Sequence, residues 1–263
     1  MELPIREIKL GGLEVRVYPN RAALGRAAAE AVAQKLRLLL KERPRVGVIF
    51  AAAASQSEFL EELGRAGGID WNRVMAFHMD EYVGLSRESP QSFGRWLRDH
   101  LFDRVRPGAI HYLEGSAADP VAECRRYGEL LRDHPPEIVC LGIGENGHLA
   151  FNDPHVADFR DPLPVKLVEI DAVSRMQQVR EGQFPAPDRV PRIALTLTIP
   201  ALLSVPTLSC AVPGAQKAPA VRRALRDPLS TECPATALRG HGQAVVYLDP
   251  DSARLIDTEL ARR

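Results

Sequence analysis

The chain is 263 residues long, 45% hydrophobic and 26% charged, enough for one sizeable α/β core. Its formal net charge is zero, which excludes the basic footprint of a nucleic-acid or anionic-membrane binder but leaves room for a local anion pocket. Met1–Lys9 carries charges where a signal peptide needs an apolar stretch, and no apolar run approaches a membrane span. Cys124, Cys140, Cys210 and Cys233 form no C-x-x-C pair, and Cys140 and Cys210 lie in apolar runs as small hydrophobes. The expectation is a reduced, cytoplasmic protein with no cofactor and no zinc site.

Leu13 to Tyr18 alternates as a half-buried strand, and Asn20 caps a long helix over Arg21 to Glu42 that Arg43-Pro44 ends. Val46–Phe50 reads as a buried strand, followed by the Ala51–Ser57 loop and a helix through Phe59-Leu60. Arg73–Met79 is the next strand and runs directly into Asp80-Glu81-Tyr82. Ser89-Pro90 is expected to start a helix carrying Phe93, Trp96, Leu97 and Leu101 as core. A short strand at Ile110–Leu113 and a helix from Asp119-Pro120 to about Arg132 lead to the buried run Ile138–Leu141. Val165–Ile170 is a strand, Ala172 to about Val179 a short helix, and Gly182–Pro191 a loop. Ile193 to Leu203 reads equally as strand or as a turn into helix. Thr207–Val212 is a strand, Gly214 opens a helix through Ala224, Ala244–Leu248 is the last strand, and Asp249–Ser252 caps a terminal helix. Strands alternating with helices predict one domain, 1–263, built on a doubly wound, mostly parallel sheet with helices on both faces.

Three sets of reactive groups follow strands. After Ile138–Leu141 come Gly142, Gly144 and Gly147, interleaved with Glu145, Asn146, His148, Asn152 and Asp153, and open α/β sheets place ligands at such ends. A His flanked by carboxylates can be held in one tautomer and move a proton near neutral pH. Asp80 and Glu81 follow another buried strand; a carboxylate partly buried there rises toward a pKa useful for proton shuttling. Lys217 lies just inside the helix opened by Gly214, and Arg175 sits on the helix after Val165–Ile170; cations at such junctions suit a phosphate. No spacing marks a metal site, and Gly142-Ile-Gly144 alone does not make a nucleotide motif. The combination points to sugar-phosphate chemistry.

Gly142-Ile-Gly-Glu-Asn-Gly-His-Leu-Ala-Phe-Asn-Asp-Pro154 resembles the signature of the glucosamine-6-phosphate deaminase/isomerase family. Met79-Asp-Glu-Tyr-Val-Gly-Leu85, Ser89-Pro-Gln-Ser92, Leu101-Phe-Asp103, Gly214-Ala-Gln-Lys-Ala218 and Pro234-Ala-Thr-Ala-Leu238 resemble further segments of that family in the same order. The resemblance implies a Rossmann-like domain of sugar-phosphate isomerase type and a metal-free conversion of a hexosamine phosphate to a ketose phosphate plus ammonia. By position it makes Asp80 the base that shuttles the C2 proton and His148 the group that assists ring opening, with Asp153 and Asn146 beside it. It assigns substrate contacts to Ala53, Ala54, Ser55, Glu81, Gly147, Arg175 and Lys217. The implied partner is a small amino-sugar phosphate, and a second copy of the chain is the one protein partner left open. Two departures bear on substrate. Ala52-Ala-Ala-Ser-Gln56 stands where the family usually has a Ser/Thr-Gly-Gly-Thr-Pro loop, so two extra Cβ atoms face an incoming oxyanion. Asp153 stands where the family usually has Glu. A lactonase resembling 6-phosphogluconolactonase is a second reading, although its loop usually continues Ala-Ser-Leu-Phe-Pro; a sugar-phosphate sensor without turnover is a third.

Overall fold

The structure is a computed structural model that describes residues 3–256. Its elements in chain order are β1 (Arg6–Leu10), β2 (Leu13–Val17), α1 (Arg21–Glu42), β3 (Val46–Phe50), α2 (Ser57–Arg65), β4 (Val74–His78) and β5 (Asp80–Tyr82). There follow α3 (Phe93–Leu97), α4 (Asp103–Val105), β6 (Ala109–His111), α5 (Pro120–Asp133), β7 (Ile138–Leu141), β8 (Val165–Glu169) and α6 (Ala172–Arg180). The chain ends with β9 (Ile193–Leu197), α7 (Ile199–Leu203), β10 (Thr207–Val212), α8 (Ala218–Arg226) and β11 (Ala244–Leu248).

Eight strands form one sheet in the order β1-β2-β11-β10-β7-β3-β4-β6. Every neighbouring pair is parallel except the β1–β2 hairpin. The apolar runs behave as buried parallel strands should: all residues of β3, β4 and β7 are buried. Alternate side chains feed two cores, with Ile49, Val139 and Leu141 on one face and Val48, Phe50, Ile138 and Cys140 on the other. Helices α1, α2 and α3 cover the second face; α5, α7 and α8 cover the first. From β3 the chain winds outward through β4 and β6, then returns to the opposite side of β3 with β7 and β10. That reversal makes the C-terminal ends of β3 and β7 the switch point of the sheet, where a ligand crevice opens.

A second sheet, β5-β9-β8, is antiparallel and was not anticipated from the sequence. Only Met79 separates β4 from β5, so the chain leaves the large sheet at His78 and enters the small one at Asp80. The ambiguous stretch Ile193–Leu203 resolves as both options in turn, with Thr198 capping α7 through the Ala201 N–H. The helix expected at Ser89-Pro90 begins later, at Phe93, because Ser92 accepts the Arg95 N–H and sets the cap there. Asp249–Ser252 closes a turn, residues 250–256 continue as turns, and the rest of the expected terminal helix lies outside the described residues.

Candidate active site

Two cavities, an inner and an outer lobe, lie at the switch point and share one wall residue. The inner one offers about 60 Å³ and is lined by Ala51–Ala53, Ser55, Gln56, Asp80, Phe93, Gly142–Gly144, His148, Ala150, Phe151 and Gln178. The outer one offers about 190 Å³ and is lined by Ala54 and Ser55, the ion pairs of Arg180 and Lys217, and Pro213–Gly214. Ser55 borders both.

After β3, Ala53 is extended and Ala54–Gln56 forms a single 3₁₀ turn into α2. No residue of this loop has a positive φ, so its path needs no glycine. Among the described residues no acceptor takes the N–H groups of Ala53, Ala54 or Ser55, which leaves them for an anion. Gln56, fully buried, ties the turn to β10 by donating to the Ala211 carbonyl at 3.0 Å.

Asp80 is 7% exposed and takes no hydrogen bond from any described residue. Burial, and next the charge of Glu81, push its carboxyl well above the usual carboxylate range. Its neighbour is the opposite case. Glu81 accepts the N–H groups of Tyr82 (2.9 Å), Phe93 (3.2 Å) and Gly94 (3.0 Å) and the Ser92 hydroxyl (2.7 Å). His78 Nε2 stands 3.7 Å away. Against burial, His78, the Gly94 N–H and the Ser92 hydroxyl hold Glu81 below the ordinary value. Two adjacent carboxylates are thus driven apart, one free in the cleft and one fixed as the cap of α3.

The loop after β7 presents His148. Its ring lies flat against Gly144, where an added Cβ would stand 2.1–2.3 Å from three ring atoms. Nδ1 lies 2.9 Å from Asn146 Oδ1, 2.9 Å from Ser174 Oγ and 3.1 Å from Asp153 Oδ1. Asn146 donates its Nδ2 to Asp153 at 2.9 Å, so its oxygen faces the ring. Ser174 gives its only proton to Asp153. All three oxygens therefore accept, which assigns the proton of a neutral imidazole to Nδ1 and leaves the Nε2 lone pair free. Asp153 is fully buried and also accepts the Asp171 N–H at 2.9 Å. Despite burial, the hydrogen bonds and charge around it, chiefly from His148, hold it far below the usual range. Ala150, on the cleft wall, is held at φ 51°, one of two described non-glycine residues with positive φ.

In the outer lobe Lys217 is buried, with Nζ 3.8 Å from Glu181 Oε1, and burial depresses its pKa. The Gly214 N–H donates to Asp249 at 3.0 Å and fixes the turn that delivers it. Arg180 pairs with Glu145. Gln177 ties the two pairs together, donating to Glu181 at 2.8 Å and accepting the Glu145 N–H at 3.0 Å.

Asp80, His148, Ala53 and Ser55 thus share the inner lobe, with Ala54 and Lys217 beside them, while Asn146 and Asp153 stand behind His148. Three of the expected substrate contacts lie elsewhere. Glu81 is consumed by the α3 cap. Arg175 turns its guanidinium to the Pro187 carbonyl, at 3.3 Å. Gly147, at φ 91°, makes the turn under the loop and packs so closely that a Cβ would meet Cys233 Sγ at 2.6 Å. Ser174, Gln177 and Gln178, all buried on α6, were missed. Among the described residues no cluster of three or more His, Cys, Asp or Glu is placed to hold a metal, and no helix is long and apolar enough to cross a membrane.

Residues 19–247 match the family model described as glucosamine-6-phosphate isomerases/6-phosphogluconolactonase. A glucosamine-6-phosphate deaminase of Exiguobacterium sibiricum is 33% identical over 229 residues, 87% of this chain and 89% of that protein. One from Bacillus cereus strain G9842 is 33% identical over 221 residues, covering 84% and 81%. Among solved structures, a monomeric glucosamine-6-phosphate deaminase superposes with TM-score 0.84 at 30% identity, covering 92% of this chain and 99% of that one. A 6-phosphogluconolactonase from Thermotoga maritima shares the fold, with TM-score 0.73 at 22% identity over 89% and 98% of the two chains.

Proposed function

The chain belongs to the family of glucosamine-6-phosphate isomerases and 6-phosphogluconolactonases, and within it we propose that the protein is an amino-sugar-phosphate deaminase/isomerase. The observation that carries this reading is the meeting of the free, buried Asp80 carboxylate with the oriented His148 imidazole in one narrow lobe. The phosphate of the substrate lies in the outer lobe against Lys217 and the N–H groups of Ala54 and Ser55. His148 Nε2 faces the sugar ring oxygen and C1 hydroxyl and relays the proton that opens the ring. Asp80 removes the C2 proton and returns it to C1, converting the amino aldose to a C2 imine; water then adds and ammonia leaves, giving the ketose phosphate. A carboxylate with a raised pKa suits that shuttle, because it accepts the proton near working pH and holds it until C1 collects it. The relatives named as deaminases support the reading, and so does the free N–H row of the loop after β3.

The test is ammonia and ketose phosphate release from glucosamine, galactosamine and mannosamine 6-phosphates, with deuterium appearing at C1 of the product formed in D2O. Folded protein that releases ammonia from none of them overturns the reading.

Two variants probe its parts. Lys217→Met is expected to raise KM roughly ten- to a hundredfold, as losing one charge-assisted hydrogen bond of about 1.5–3 kcal/mol allows. The kcat should change much less, because the phosphate does not react; an unchanged KM places the phosphate elsewhere. Glu81→Gln removes the charge that helps raise Asp80. The acid limb of kcat/KM reports the free enzyme's essential base, so it should move to lower pH. A limb that stays, or moves up, contradicts the pairing of these two carboxylates.

A further inference from the structure

Helix α6 brings one more group to the imidazole. Ser174 has no exposed surface and sits in the first turn of the helix, its N–H accepted by Asp171 Oδ1 at 3.0 Å. Its hydroxyl lies between the two partners that matter, 2.9 Å from His148 Nδ1 and in direct hydrogen bond to Asp153 Oδ1. Direct contact between that carboxylate and the ring is longer, 3.1 Å, and Asp153 already accepts from Asn146 and from the Asp171 N–H.

We propose that Ser174 is a positioning residue for His148: its oxygen accepts the Nδ1–H while its proton goes to Asp153, coupling ring and carboxylate through one hydroxyl. Asp153 is ionised and can only accept, so the Ser174 proton has a fixed destination. With that proton committed, the hydroxyl can meet Nδ1 only with a lone pair. The ring is then held in plane and, when neutral, in the Nδ1–H tautomer, whose Nε2 carries the free lone pair. Asn146 Oδ1 supplies a second acceptor at the same nitrogen but no path for charge to Asp153 except through its amide. Removal of the hydroxyl leaves the Asp153 carboxylate short of a donor and Nδ1 held only by Asn146 Oδ1 and the longer Asp153 contact, a looser hold on the ring. A longer carboxylate at position 153 would grow into the space the hydroxyl vacates and meet Nδ1 directly.

The kinetic part of the test rests on the deaminase reading; the spectroscopic part does not. Ser174→Ala is expected to lower kcat roughly 10- to 100-fold, the scale of removing a partner that orients a functional imidazole, with KM within about twofold. Ser174→Ala combined with Asp153→Glu is expected to recover most of the loss. Nitrogen-15 NMR of the unliganded protein should show His148 as the Nδ1–H tautomer in the wild type, and as a mixture of tautomers in Ser174→Ala. A wild-type kcat in Ser174→Ala, or a lost kcat with the tautomer unchanged and no recovery in the double variant, overturns the proposal. If the wild type releases no ammonia, the deaminase reading fails by itself, and the tautomer comparison alone decides on Ser174. Should Ser174→Ala not fold, Ser174→Cys, which keeps the volume and weakens the hydrogen bonds, takes its place with the same two outcomes.

Discussion

Replacing Asp80 with Asn is expected to reduce ammonia release by at least about 10³-fold, within the range for loss of a positioned general base, and to raise the melting temperature at neutral pH. The first effect follows from the role of the carboxylate: an amide of the same shape cannot take a proton from C2. The second follows from its environment. Asp80 is buried, receives no hydrogen bond from the described residues, and has the negative Glu81 next to it in the chain, so its folded-state pKa lies above the unfolded value of about 3.9. For a carboxyl shifted in that direction, the stabilising contribution is complete below the unfolded pKa and is lost as pH rises through the folded pKa. Above that point the wild type carries a buried, unpaired charge that Asn lacks. The difference in melting temperature between variant and wild type should therefore be small near pH 4 and grow toward pH 8. Parallel thermal melts across that range, with the ammonia assay, check both halves. A variant less stable at every pH would mean that Asp80 has a stabilising partner, and would remove the case for it as a free base.

The sequence shows the placement of Asp80 but not its difference from Glu81. Both carboxylates follow the same buried strand, and what separates them is the α3 N-terminus, twelve residues beyond Glu81, folding back onto it. That contact depends on where α3 starts, and the Ser89-Pro90 pattern suggested an earlier start than Ser92 imposes. The small antiparallel sheet escaped for a related reason: β5 has three residues, too few to show a period. β1 escaped because it is an edge strand in which only Ile8 is buried, so its charges hide the alternation. The switch-point loops, by contrast, are continuous stretches whose polar residues sit next to the strand that positions them. On α6 the choice of Arg175 followed charge rather than helix geometry. Ser174 and Gln178 stand four residues apart and share the face toward the cleft, as Gln177 nearly does, whereas Arg175 is turned about 100° away from Ser174. Val173 and Met176, both exposed, mark the opposite face. The burial pattern of the helix was legible in principle, but only once one of its residues had been anchored to His148.

Gly144→Ala is expected to cost roughly 10²- to 10⁴-fold in kcat, the range for displacing a general acid/base, while the fold survives. The backbone itself tolerates the change, since Gly144 is not among the glycines with positive φ. The obstacle is the imidazole. An added Cβ would stand 2.1 Å from Cε1, 2.2 Å from Nε2 and 2.3 Å from Nδ1 of His148, separations no packed pair of atoms sustains. The backbone is poorly placed to yield, because the Gly144 N–H donates to the His148 carbonyl at 2.9 Å and its own carbonyl accepts the Gly147 N–H at 3.0 Å. Relief must come from the ring, which is partly exposed on the cleft side and can swing outward. That motion breaks the contacts to Asn146, Ser174 and Asp153 together and takes Nε2 away from the substrate. The stability cost should stay within the roughly 1–3 kcal/mol typical of a single added methyl group in a packed site. Kinetics of Gly144→Ala beside His148→Ala provide the check. Similar losses in the two variants, with Gly144→Ala still cooperatively folded, tie the glycine to the imidazole; a Gly144→Ala enzyme near wild-type kcat would show that His148 can work from another position.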